Sequence, residues 1–141
     1  LQIKRQNMKH FIFLPLAAFF LFSCEENIVS ECKTVQDEFV SKTTFTTIQT
    51  DIFDVHCVSC HGGASSNAGL DLSPGAAYAN LINQPSNTST FIRVIPFDAE
   101  QSYLYRVLDG TNAPLMPPGN RLSQASIDSV AAWINRGAPE S

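Results

Sequence analysis

The chain has 141 residues, room for one small domain and not for two. Its 13 acidic and 9 basic residues give a net charge of −4. That balance lacks the basic excess that grips a phosphate backbone, so it argues against a nucleic-acid partner.

The first element is a targeting segment. Lys9 and His10 precede an apolar run from Phe11 to Phe22, shorter than the roughly 20 apolar residues a membrane-spanning helix needs. A basic start, a short apolar core and a small residue at the end read as an export signal that is removed. Met8 is the expected start, with Leu1 to Asn7 as upstream sequence. The run ends in Leu21-Phe22-Ser23-Cys24, which resembles a bacterial lipoprotein signal in which Cys24 is lipidated and becomes the mature N-terminus. Phe22 is bulkier than that signal usually allows; the alternative is an ordinary signal peptide with an incidental cysteine. Residues 1–23 carry Lys4, Arg5 and Lys9 and no acid, so their removal leaves a distinctly more acidic chain, suited to basic redox partners or simply to solubility.

Residues 24–44 are polar, rich in Ser, Thr and Glu, and read as a flexible tether between lipid and domain. Cys32 lies in it. With Cys24 assigned to lipid and the other two cysteines to a motif described below, Cys32 has no spare partner and reads as a free thiol; a dimer bridge or a Cys24–Cys32 disulfide is the other possibility.

The folded module is expected over residues 45–139, with four helices. Phe45, Ile48, Ile52 and Val55 follow 3,4,3 spacing and share one helical face. Ser73-Pro74 begins a short helix through Leu81-Ile82. Asp98 caps a third, with Leu104, Val107 and Leu108 inward. Ser123 caps the last, where Ile127, Val130, Ala131 and Ile134 form a stripe, and Gly137 ends it. Thr90 to Ile95 is β-prone but too short for a sheet of its own. Short helices joined by long loops make a thin core for this length, one that a buried cofactor would complete.

The chemistry sits in Cys57-Val58-Ser59-Cys60-His61. Two thiols one turn apart match two vinyl groups on one porphyrin edge, and the following histidine then lies beneath the iron. Covalent haem c, one per chain, is therefore the expected cofactor. A thioredoxin-like redox pair would want a βαβ context, and a zinc site would want a second Cys/His pair; neither pattern is visible. For the second axial position, Met116 is the one methionine left after processing. His56 is tied to the proximal side beside Cys57, and Lys33 and Lys42 lie in the tether. Met116 stands in Pro114-Leu115-Met116-Pro117-Pro118-Gly119, a loop with few free torsions. It either ligates iron, in the His/Met pattern of electron-transfer cytochromes, or packs in a turn. Arg93 either pairs with a haem propionate or is a solvated loop charge.

These features resemble class I c-type cytochromes. Closest are the short exported modules known as planctomycete-type cytochrome c domains, over roughly residues 45–139. The resemblance rests on Cys57 to Gly63, Gly69-Leu70-Asp71-Leu72, Ser102-Tyr103-Leu104, Leu115-Met116-Pro117-Pro118-Gly119, and Trp133-Ile134 with Gly137-Ala138. It implies an all-α fold packed around one covalent haem, with the first and last helices crossing beside it. Phe53 and Trp133 match the aromatics of those helices and read as core. Gln49 stands where such proteins often have glycine, so a wider or shifted crossing is expected.

The expected function is single-electron transfer between extracytoplasmic redox proteins, non-enzymatic, on the periplasmic side of a bacterial membrane and lipid-anchored to it. Two alternatives remain: a haem-bearing subunit of a larger respiratory or dehydrogenase complex, and an open-site haem sensor or enzyme if Met116 is not a ligand. No Ser/His/Asp set, carboxylate pair with a second histidine, or phosphate loop is present.

Overall fold

The computed structural model describes residues 43–141. The export signal, Cys24, Cys32 and almost all of the tether lie outside the described residues.

The first helix is composite. Thr44 caps α1 (Phe45–Ile48): its hydroxyl accepts from the Thr47 amide, and the Thr47 hydroxyl accepts in turn from the Thr44 amide. The chain then widens into a π-helical stretch (Gln49–Phe53) and returns to α geometry as α2 (Asp54–His56). Bonds from i to i+5 put more residues into each turn. The inward set is therefore Ile48, Ile52 and Phe53, joined by Gln49, while Val55 is 64% exposed. The 3,4,3 spacing is right for Ile48 and Ile52 and wrong for Val55, because the wide turn shifts the helical phase before Val55 is reached.

Ser73 and Pro74 do not open a helix. Gly75 takes φ +81 immediately after them, incompatible with helical continuation, and α3 begins only at Ala77 (Ala77–Leu81). The Ser73 hydroxyl instead accepts from the Gly63 amide. Asp98 caps a turn, accepting from the Gln101 amide, and α4 (Tyr103–Asp109) starts behind Ser102. Leu104, Val107 and Leu108 face inward as expected. The last helix, α5 (Gln124–Asn135), has its Ser123 cap accepting from the Ser126 amide. Ile127, Val130 and Ile134 are buried and Ala131 is half-buried. Gly137 ends the helix at φ +97, where a Cβ would sit 2.5 Å from the Phe97 ring. Among the described residues there is no strand; residues 82–98 contribute only isolated bridges, Ile82 with Val94, Pro85 with Ile92 and Ile95 with Asp98.

An aromatic cluster fastens the two ends of the module. The Phe45 ring lies 5.4 Å from Trp133, 5.2 Å from Tyr78 and 6.3 Å from Phe53, the last two edge-on. Phe53 and Trp133 are fully buried. Their polar neighbours are satisfied: Trp133 Nε1 donates to the Pro139 carbonyl at 2.8 Å and the Tyr78 hydroxyl to that of Ala138 at 3.0 Å. Contact between α1 and α5 runs through this cluster. Beside it, Thr47, Ile48, Asp51 and Ile52 face Ala125, Ser126 and Ser129 across a groove. Gln49 is buried and turns elsewhere, its Nε2 donating to the Leu72 carbonyl at 2.9 Å and to Asp54 at 2.7 Å.

Candidate functional site

The composite first helix delivers Cys57 to a tight turn. The Cys60 amide donates to the Cys57 carbonyl at 3.0 Å and the His61 amide to the same oxygen at 2.8 Å. One turn thus carries Cys57, half-buried, and Cys60, exposed, with His61 directly behind. Neither thiol is in a disulfide. Burial, with Cys60 close by, pushes the Cys57 thiol up to about 11. A redox-active Cys-x-x-Cys pair lowers the pKa of its attacking thiol, so the environment of Cys57 is opposite to a thioredoxin-like one.

His61 is oriented from behind. Its Nδ1 lies 3.1 Å from the Asn67 carbonyl. A carbonyl can only accept, so the proton is on Nδ1 and the lone pair is left on Nε2, the nitrogen that binds a metal. The short 3-10 turn Asn67–Gly69 supplies that carbonyl. Gly69 takes φ +61 in it, a left-handed angle that glycine adopts at least cost, and a Cβ there would displace the end of the Asn87 side chain, 2.5 Å away. Asp71 ties the next stretch down, accepting from the Gly63 amide at 3.0 Å and the Ser73 amide at 2.9 Å. These bonds from Ser73 and Gly63 hold its carboxyl below the usual value. The Leu72 amide donates to the His61 carbonyl.

Met116 reaches the same cleft from the Pro-rich loop. Its amide donates to the Val107 carbonyl at 2.8 Å, which fixes the Pro-rich loop to α4. Cys57, Cys60, His61 and Met116 all line one cleft, which encloses about 880 Å³, part of it open to solvent. Its walls are largely apolar: Leu70, Leu72, Leu81, Leu104, Val107, Leu108 and Pro117. His56 also lines it but is exposed, on the cysteine side.

One flank is polar. Ser86, Asn87, Thr88 and Arg93 line it. Asn87 donates to the Ala68 carbonyl at 2.9 Å, and Arg93 donates to Gly69 at 3.3 Å and Asn80 at 2.8 Å. Arg93 is only 8% exposed and burial draws its pKa down, which removes the reading of a solvated loop charge.

The donor set fits haem. Two thiols stand on one turn lining the cleft, an imidazole nitrogen is freed by its partner, a thioether lies in the same cleft, and apolar walls adjoin polar side chains suited to an amphiphilic macrocycle. It does not fit zinc: among the described residues no three His, Cys, Asp or Glu side chains gather as a metal site.

Sequence reasoning singled out four of the residues lining this cleft, Cys57, Cys60, His61 and Met116, and weighed two more in passing, His56 and Arg93. It missed Asn67, whose contribution is a backbone carbonyl and leaves no mark in residue type. It also missed the polar run Ser86-Asn87-Thr88, which reads in sequence as ordinary loop.

A model of the family described as "Cytochrome C oxidase, cbb3-type, subunit III" matches residues 47–134. The searches of curated proteins and of solved structures return no match.

Proposed function

The chain belongs to that c-type cytochrome family, and we propose that it is a monohaem electron carrier acting between extracytoplasmic redox proteins. The family implies covalently bound haem c and haem-based electron transfer. The observation that carries the finer reading is the meeting of His61, with Nε2 left free by the Asn67 carbonyl, and Met116 on one apolar cleft.

In this reading Cys57 and Cys60 would hold the haem through thioethers, and His61 Nε2 and the Met116 sulfur would bind its iron. The haem supplies a one-electron couple. The protein's part would be to offer His61 and Met116 to the iron and to keep the surroundings rigid. His61 is fixed by Asn67, its own carbonyl is fixed by Leu72, and Met116 is fixed by Val107. With no coordination position open to substrate and little to rearrange, the site suits electron relay rather than bond chemistry. The apolar walls limit water at the iron.

Redox titration of the purified holoprotein tests this. One haem per chain by pyridine haemochromogen assay and a single reversible one-electron wave are expected, with no carbon monoxide adduct on the reduced form. Two haems per chain, or ready carbon monoxide binding, would replace the carrier by a different device. The family's description names an oxidase subunit, which favours a second reading, a haem-bearing part of a larger respiratory complex. Stable co-purification with integral membrane proteins would favour that reading.

We place the carrier at the periplasmic face of a bacterial membrane, as a planctomycete-type lipoprotein anchored through Cys24. No helix among the described residues is long and apolar enough to cross a membrane, so retention would depend on the N-terminal segment. Cys24→Ser is expected to shift the protein from the membrane pellet to the soluble periplasmic fraction, because several acyl chains bind firmly where the polar tether cannot. Equal retention of variant and wild type would overturn the lipid anchor.

A further inference from the structure

Gln49 opens the π-helical stretch and is only 7% exposed, yet its amide is satisfied on one side alone. Nε2 uses both of its N–H groups, one on Asp54 Oδ1 at 2.7 Å and one on the Leu72 carbonyl at 2.9 Å. Oε1 has no hydrogen-bond partner among the described residues. A buried acceptor left unpaired is a cost that an apolar side chain of similar size would not carry. What that apolar side chain would lack is the two donor bonds.

Both bonds reach parts of the molecule that bear on the site. The Asp54 amide donates to the Gln49 carbonyl and closes the wide turn, so these two residues are joined through backbone and side chain together. Turns of this kind are frequent at functional sites. Leu72 is the distant partner, 23 residues on. It lines the cleft, and its amide donates to the His61 carbonyl at 2.6 Å. Next to it, the Gly63 amide donates to Asp71 Oδ1 at 3.0 Å and to the Ser73 hydroxyl at 3.2 Å. Residues 61–63 and 71–73 thus form one hydrogen-bonded strip, and Gln49 fastens that strip to the helix that carries the cysteines.

Resting on the haem reading, we propose that Gln49 is a positioning residue for His61, acting through Leu72. Asn67 sets which ring nitrogen of His61 is free for iron; Gln49 sets where the backbone beneath that ring stands. The wide turn and the proximal histidine are then one mechanical unit, with the Gln49 amide as the joint.

The test uses holoprotein matured in a host with cytochrome c assembly machinery, as wild type, Gln49→Leu and Ile127→Ala. Haem staining after denaturing electrophoresis comes first: wild type without covalent haem would sink the cytochrome reading itself, a failure distinct from the one sought here. Gln49→Leu removes both donors at similar volume. It is expected to keep its haem and to change the pattern of haem-methyl proton shifts in the oxidised form, which follows the orientation of the axial imidazole. Its Leu72 amide should exchange hydrogen roughly tenfold faster, as for the loss of one buried hydrogen bond. Ile127→Ala opens the buried core at α5 without touching this link, and should lower the melting temperature while leaving the haem-methyl pattern as in wild type. A wild-type pattern in Gln49→Leu, or the same change in Ile127→Ala, would reduce Gln49 to core filling and overturn the proposal. Should Gln49→Leu fail to accumulate, Gln49→Asn decides, since it keeps the amide but withdraws it by one methylene: an altered pattern supports the joint, and an unaltered one refutes it.

Discussion

Replacing Cys57 and Cys60 together by alanine should abolish covalent haem, leaving no haem-stained band after denaturing electrophoresis. Each thioether needs its own sulfur, and both sulfurs stand on one hydrogen-bonded turn. The axial ligands are expected to be untouched by the change, so any haem that still enters the cleft would be lost on denaturation. The variant should also melt at a lower temperature than wild type. Leu70, Leu72, Leu104 and Leu108 line the cleft; without bound haem they lose its packing, and the native state forfeits the stabilisation that a tightly held group brings. A haem-stained band of wild-type intensity in the double variant would refute the attachment site.

The second large effect is expected at Met116. Met116→Ala should open one axial position, admit water to the ferric and carbon monoxide to the ferrous form, and lower the midpoint potential. A thioether favours ferrous over ferric iron, and axial ligands tune haem potentials over about 0.8 V. A hundredfold loss of ferrous preference corresponds to a fall of roughly 120 mV at 59 mV per decade. Met116→His should keep six-coordination and still lower the potential. The near-infrared sulfur-to-iron band of oxidised wild type should vanish in both variants. Wild type lacking that band and binding carbon monoxide when reduced would mean an open iron, and the sensor or enzyme reading would then take the carrier's place.

The chemistry of the site was more legible in the sequence than its supports were. Cys57, Cys60 and His61 stand in a local motif whose spacing is itself the geometry. Elimination singled out Met116 as the candidate ligand; the structure puts it on the same cleft as His61, with its amide fastened to the Val107 carbonyl. The Asn67 carbonyl was illegible because backbone groups have no residue signature. Arg93 remained ambiguous because a charged residue in a loop is exposed unless the chain around it closes, and closure here depends on two distant carbonyls, Gly69 and Asn80.

For the fold, the helix with a full apolar stripe and a hydroxyl cap, Gln124–Asn135, was readable from its ends and its face together. The starts of two short helices were not, although Leu104, Val107 and Leu108 face inward as read. Ser73-Pro74 has the composition of a helix start, but Gly75 in the left-handed region stops it. Asp98 caps a turn where a helix was expected. In segments this short one backbone angle outweighs propensity, since few hydrogen bonds are at stake on either side.

The π-helical stretch at Gln49–Phe53 acts as a phase adjuster between core and cofactor. Each residue of an α-helix advances the side chains by about 100°. Without the extra residue in the wide turn, Cys57 and Cys60 would be rotated by about that angle relative to Phe45 and Ile48, which are held by the aromatic cluster and α5. The helix can therefore keep its packing against α5 and its aim at the cleft only by carrying this insertion. Its length between Ile48 and Cys57 is a fixed quantity of the design, less tolerant of a gained or lost residue than of a changed one.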